Sequence, residues 1–205
     1  MEPPAGDVPL PTVRRGAPGL SSGDPYAISV GMTVLDLAVE GAQLRLWRHG
    51  DEAELSRQAD NSNVSRNLRD SFPHPYTVSD AEQWIGFAVA QRPPTHFAIT
   101  MHDRVAGGIG FNLGGDVYRR SAEVGFWLGE EYWGRGIATA ALEAITTFAF
   151  GSFDLCRLYA HVYEWNAASM RVLEKAGYTR EGVLRRAVVK DGRTIDQHLF
   201  ALVRE

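Results

Sequence analysis

The chemistry in this chain is concentrated in one stretch, Glu123-Val-Gly-Phe-Trp-Leu-Gly-Glu-Glu-Tyr-Trp-Gly-Arg-Gly-Ile-Ala-Thr139. It reads as a strand that turns into a helix. Gly134, Gly136 and the small Ala138 let backbone approach a ligand closely, and the first N–H groups of the following helix, with its positive dipole end, face an anion. A pyrophosphate suits that environment. An isolated Gly-x-Gly specifies little, since it serves equally well as a plain helix start, and the strand before it and helix after it give the pair its meaning. The Gly-Lys-Ser/Thr of a P-loop is missing, and the glycines follow a strand meander rather than the opening βαβ unit of a dinucleotide fold, which disfavours ATP and NAD. Strand alternation puts Glu123, Gly125 and Trp127 on one face and Val124, Phe126 and Leu128 on the other. Glu123 is therefore a carboxylate on a central strand, either a proton acceptor or an ion-paired strand-end group.

The elements that must hold this stretch are legible from periodicity. Residues 1–33 form a flexible arm, rich in Pro, Gly and Ser as far as about residue 26, and one domain spans 34–205. Residues 43–48 alternate as a strand, and a helix follows over 51–60. Ser79-Asp80-Ala81-Glu82 has capping-box spacing before a helix reaching about Ala90, which Pro93-Pro94 ends. Strands over 96–101, 105–113 and 122–128 form an antiparallel meander. The helix from Gly136 to about Phe150 carries Ile137, Ala141, Ile145 and Phe148 as a buried stripe. A strand over 157–163, a helix over 167–176 and strands over 178–185 and 194–203, with Asp191-Gly192 as a hairpin turn, complete the pattern. The fold class is α/β, a single domain with a mixed, mostly antiparallel central sheet of about seven strands flanked by helices.

Composition narrows the partners. The chain has 205 residues, 44% of them hydrophobic and 22% charged, which suits one domain with a continuous core. A formal charge of −4 offers no global attraction to nucleic acid. The longest apolar run, 137–150, is interrupted by Thr139, Glu143, Thr146 and Thr147, so no membrane partner is expected. The Met1-Glu2-Pro3-Pro4 start leads into no secretory pattern, and the default compartment is cytoplasmic. Cys156, the one cysteine, is expected as a buried thiol and excludes an intrachain disulfide. Histidines 49, 74, 96, 102, 161 and 198 show no ligand spacing, so no metal is expected. The chain is expected as a monomer or homodimer.

Trp133-Gly134-Arg135-Gly136-Ile137-Ala138, followed by Asn166-Ala-Ala-Ser169-Met-Arg-Val-Leu-Glu-Lys-Ala-Gly177-Tyr178, resembles the GNAT superfamily of N-acetyltransferases over residues 44–203. That family's phosphate motif is (Gln/Arg)-x-x-Gly-x-(Gly/Ala), and Trp133 departs from it at the first position. The Tyr-Trp-Gly-Arg-Gly-Ile-Ala-Thr run and the Asn-x-x-Ser pair are most similar to the branch acting on ribosomal-protein N-termini. The resemblance implies acetyl-CoA as co-substrate, its pyrophosphate on backbone amides of Arg135, Gly136, Ile137, Ala138 and Thr139, with Trp127 and Leu128 along its pantetheine and Trp133, Gly134 and Ser169 also at the cofactor. Asn166 would reach the cofactor arm, cap its own helix, or do both.

For catalysis, Glu123 on its central strand is the candidate general base, a water chain linking it to the amine. The resemblance implies the Leu128 backbone N–H as the group polarising the thioester carbonyl, given a strand bulge there. Many members carry a proton-donating Tyr where this chain has Leu173, and Ser169 is the substitute at the leaving sulfur, or else an ordinary early-helix Ser bonding to backbone. Tyr178 is read as a packing residue. The segment 63–76 lies where the family grips its acceptor, with Arg66, Asn67, His74 and Tyr76 as candidate groove residues. The acceptor is a primary amine. A protein or peptide N-terminus is favoured, because the neutral fraction of an α-amine near pH 7 is roughly a hundredfold that of lysine. A small-molecule amine is the other acceptor considered, and an inactive acyl-CoA-binding sensor is the alternative function.

Overall fold

Most of the chain's alternating segments become strands of one open sheet. The structure, a computed structural model, describes residues 34–204, and the expected arm over 1–33 lies outside the described residues. The strands are β1 (Val34–Asp36), β2 (Ala42–Leu46), β3 (His96–Met101), β4 (Arg104–Leu113), β5 (Ser121–Leu128), β6 (Arg157–Tyr163), β7 (Thr179–Lys190) and β8 (Arg193–Val203). The helices are α1 (Glu52–Ala59), α2 (Ser62–Ser65), α3 (Val78–Ala90), α4 (Ile137–Ser152) and α5 (Ala167–Lys175). The sheet order is β1-β2-β3-β4-β5-β6-β8-β7, antiparallel throughout except for the parallel pair β5–β6. Among the described residues eight strands stand against about seven expected, because the three residues of β1 are too few to register as alternation.

Each face of the sheet has its own core. On one face Ala122, Val124 and Leu128 of β5 pack against Ile137, Ala141 and Ile145 of α4 and Leu173 of α5. Ile137, Leu142 and Ile145 are fully buried, each contributing about 1.5–3 kcal/mol relative to exposure. Tyr178 joins this core and shares a 2.8 Å hydrogen bond with Thr146, the packing role expected of it. On the other face, Leu55 and Ala59 of α1 with Ala81, Ile85 and Ala88 of α3 cover Ala98 of β3 and Val105 of β4. That cover does not extend to Glu123, Tyr159, His161 and Leu199, which share this face by register and are only half-buried.

Two local expectations shift. The α3 capping box sits two residues upstream of the expected Ser79: Asp80 N–H donates to Thr77 Oγ1 (3.2 Å) and Thr77 N–H to Asp80 Oδ2 (2.8 Å). Thr77-Val-Ser-Asp80 offers the same spacing half a turn earlier. Cys156 is half-buried rather than buried, its thiol directed at the Arg120 carbonyl (3.5 Å). Among the described residues, no helix is long and apolar enough to cross a membrane, and no three His, Cys, Asp or Glu side chains are grouped as metal ligands.

Candidate active site

The sheet opens where the parallel pair β5–β6 ends. β5 and β6 pair from Ser121↔Arg157 to Glu123↔Tyr159 and then part, β5 running on to Leu128 and β6 to Tyr163. On its other edge β5 stays in register with β4 as far as Gly107↔Leu128. The Gly129 N–H donates to the Ala106 carbonyl (2.8 Å), which makes Gly107↔Leu128 a non-hydrogen-bonded pair. The N–H and C=O of Leu128 therefore face away from β4, into the gap. The expected bulge is not there, since the β4–β5 register runs without a shift. Ladder parity and strand divergence aim this N–H instead. A Cβ on Gly107 would fall 2.2 Å from the Trp127 carbonyl oxygen, so only glycine lets the strands meet here.

Beyond β5 the chain makes a short 3-10 turn (Glu130–Tyr132) and enters α4. Gly134 (φ +75°) and Gly136 (φ +77°) are both left-handed, a conformation that disfavours any side chain. The space before them is open: a Cβ at Gly134 would meet nothing within 4 Å, and one at Gly136 only Val39 at 4.0 Å. The first α4 bond runs from Ala140 N–H to the Gly136 carbonyl (3.1 Å), which leaves the N–H groups of Ile137, Ala138 and Thr139 directed out of the helix end. Arg135 lies over the Tyr132 ring at 5.7 Å and adds a cation. A cradle of free amides, open approach and positive charge fits a diphosphate. Trp133, at the departing motif position, folds back and donates from Nε1 to the Leu128 carbonyl (2.9 Å), tying the end of β5 to the cradle. On α5, Asn166 Oδ1 accepts from the Ser169 N–H (3.1 Å), the expected cap. Among the described residues neither Asn166 Nδ2 nor Ser169 Oγ bonds to protein, while Leu173 is fully buried and offers no hydroxyl.

Glu123 is an ion-paired group. Its Oε1 accepts from Arg69 Nη2 at 2.6 Å and lies 3.1 Å from His161 Nδ1. Burial pushes the carboxyl up, but the hydrogen bond from His161 and the charge and hydrogen bond of Arg69 outweigh it and hold the group below the usual carboxylate range. An ionised carboxylate only accepts, so His161 Nδ1 carries the proton. Gly125, next on this face of β5, is exposed and a Cβ there would meet nothing within 4 Å. Glu123, Gly125 and His161 thus lie together on a part of the sheet that α1 and α3 leave uncovered. Sequence reading missed Arg69 and His161. The polar and aromatic side chains of Tyr159, His161 and Tyr163 on one strand face were a visible signal, but the parallel register that joins His161 to Glu123 was not.

Of the four expected acceptor residues, Arg66 and His74 border one cavity. It measures about 390 Å³ and is also lined by Asp70, Phe72 and Lys190. Arg66 lies over the Trp165 ring (5.9 Å) and Asn67 accepts from Trp165 Nε1 (3.2 Å), so both brace the residue preceding Asn166. His74 Nδ1 is 3.3 Å from Asp60. Tyr76 sits in the second core, 6% exposed, its phenol pushed up to about 12 by burial, and its ring meets Phe72, which in turn meets Trp127. Lys190 is buried against Asp70 (2.6 Å) and pins the β7–β8 hairpin to this segment. On its other side the segment is fastened to the turn after β5, where Asn61 and Asn63 donate to Glu130 and Gln58 and Arg57 donate to Glu131.

Comparison with known proteins points one way. The family model described as acetyltransferase (GNAT) domain matches residues 42–179. The uncharacterized N-acetyltransferase p20 of Bacillus licheniformis is 35% identical over 102 residues, 50% of this chain and 57% of that protein. The ribosomal-protein-serine acetyltransferase of Escherichia coli is 31% identical over 107 residues, 52% of this chain and 59% of that protein. The chain thus spans about half the length of the curated relatives it matches. Among solved structures, Mycobacterium smegmatis RimJ in complex with CoA-disulfide superposes with a TM-score of 0.74 at 28% identity, over 84% of this chain and 87% of that one.

Proposed function

Because the chain belongs to the GNAT acetyltransferase family, we propose that it transfers an acetyl group from acetyl-CoA to a primary amine, with the α-amine of a protein or peptide N-terminus as the favoured acceptor. The observation that carries this reading is the gap beyond Glu123↔Tyr159, into which the Leu128 N–H points and beyond which the Gly134–Gly136 cradle lies. The N–H groups of Ile137, Ala138 and Thr139 hold the diphosphate, and Asn166 Nδ2 is free to reach the pantetheine arm, with Trp127 beside it. The acceptor enters over Gly125. Once it has lost a proton, its nitrogen lone pair attacks the thioester carbon. The Leu128 N–H donates to the oxygen that gains charge, a contribution of about 10²–10³ for one such donor. The C–S bond breaks, and Ser169 hydrogen-bonds the departing sulfur. One proton goes to the thiolate and one to solvent.

A relative named for a ribosomal-protein serine supports an N-terminal acceptor, as does the larger neutral fraction of an α-amine. Nothing among these findings favours the inactive sensor. The test offers acetyl-CoA with three acceptors: a peptide bearing a free N-terminus, the same peptide N-blocked with an internal lysine, and small amines. Acetylation of the free N-terminus is expected. Faster reaction at lysine or a small amine would overturn the acceptor class, and no product from any amine would overturn transfer itself.

A further inference from the structure

The acceptor arrives as an ammonium and must lose a proton before it can attack. Glu123 is a poor recipient, because its Oε1 already accepts from Arg69 and His161 and these partners keep the carboxylate ionised. His161 stands beside it on the open face. Its Nδ1–H points to Glu123, so the Nε2 lone pair leaves the opposite side of a ring that is 24% exposed. Building on the acetyl-transfer reading, we propose that His161, held by Glu123 in the Nδ1–H tautomer, takes the proton from the acceptor's ammonium, and that Glu123 is its positioning residue.

The surroundings suit this role. From β5 the charged neighbour is Glu123. From the segment after α2 it is Arg69, which meets His161 only through that carboxylate. From its own strand the Tyr159 ring stands edge-on at 5.6 Å, and from β8 the facing residue is the apolar Leu199. The carboxylate offsets the imidazolium that forms. The step balances: R–NH3+ gives one proton to Nε2, the amine's lone pair forms the C–N bond, and the C–S bond breaks with its electron pair leaving on sulfur. The nitrogen sheds its second proton as the amide forms, the thiolate takes one proton, and the other is returned to solvent. One ammonium and one thioester yield an amide, a thiol and a proton.

The test compares His161→Gln with Glu123→Gln in a pH–rate series with one peptide acceptor, alongside acetyl-CoA binding and an NMR assignment of the His161 tautomer. His161→Gln should lose about 10²–10⁴ in turnover. It should bind acetyl-CoA as wild type does, which shows that it is folded, and its deficit should shrink as the pH nears the acceptor's own pKa. Glu123→Gln keeps an acceptor for Nδ1–H and should lose only about tenfold. A wild-type rate for His161→Gln in a protein whose wild type turns over would overturn this assignment alone, as would an Nε2–H tautomer or a larger loss in Glu123→Gln than in His161→Gln. A wild type that acetylates no amine would overturn the acetyl-transfer reading together with the assignment.

Discussion

The wall of the cleft that would take acetyl-CoA is made of backbone, whereas the wall facing it is made of side chains. On the first, the groups proposed to act are the N–H of Leu128, those of the first turn of α4, and two left-handed glycines, all within a single run of chain. On the second, Glu123 is joined to Arg69 across 54 residues and to His161 across 38, and Asn67 reaches Trp165 across 98. A backbone site is written locally, in residues chosen for what their φ permits and for what they leave open. A side-chain site depends on which distant strands come into register. The first kind is expected to tolerate changes in neighbouring side chains but not in its glycines, and the second to fail when one of its side chains is lost.

That contrast can be broken at four places besides His161. Gly136→Val forces a β-branched residue into the left-handed region at a cost of about 1–2 kcal/mol, or lets the loop move. The acetyl-CoA dissociation constant should rise about tenfold while the acceptor KM holds, as read by calorimetry and initial rates. Equal affinity would mean that the amides of α4 do not hold the co-substrate. Asn67→Ala removes the bond to Trp165 and should raise the acceptor KM about threefold with acetyl-CoA affinity unchanged. An effect on acetyl-CoA alone would assign that bond to the other wall.

Smaller still is the effect of acid. In the folded chain the Glu123 carboxyl is held below its ordinary range, so the unfolded chain takes up that proton first as pH falls. Its stabilising contribution is whole above the ordinary glutamate pKa of about 4.3 and is lost as pH drops through the folded-state value. Urea midpoints from pH 7 to pH 3 should therefore fall less steeply for Glu123→Gln than for wild type, and parallel curves would deny the linkage. Tyr76→Phe should change neither stability nor acceptor KM beyond about 0.5 kcal/mol, because among the described residues its hydroxyl makes no hydrogen bond. A raised KM would return Tyr76 to the groove.

What the sequence revealed follows the same division. The strand, glycine turn and apolar stripe of α4 are neighbours in the chain, and each appears where periodicity and φ preference put it. The Asn166 cap was legible for the same reason, whereas Tyr178, whose partner Thr146 is 32 residues away, was read as a packing residue from the family resemblance. His161 was passed over because a lone histidine acquires meaning only from the parallel pairing of β5 with β6, which leaves no local trace. Tyr76 read as a groove residue because the segment around it is polar, yet its ring is drawn into the core under α1 and α3 by Leu55, Ala81 and Ile85. Trp133 departs from the motif and was expected at the cofactor all the same. Only the geometry gives its indole N–H a partner, the Leu128 carbonyl.

Glu130 and Glu131 hang from the turn after β5 and are grasped by Arg57, Gln58, Asn61 and Asn63, on α1, on α2 and between them. A ligand that settles the glycine turn thereby also settles the segment leading to Arg69. If that turn holds the co-substrate as proposed, acetyl-CoA and the amine are expected to raise each other's affinity by the same factor, which titrating acetyl-CoA with and without an acceptor peptide reads.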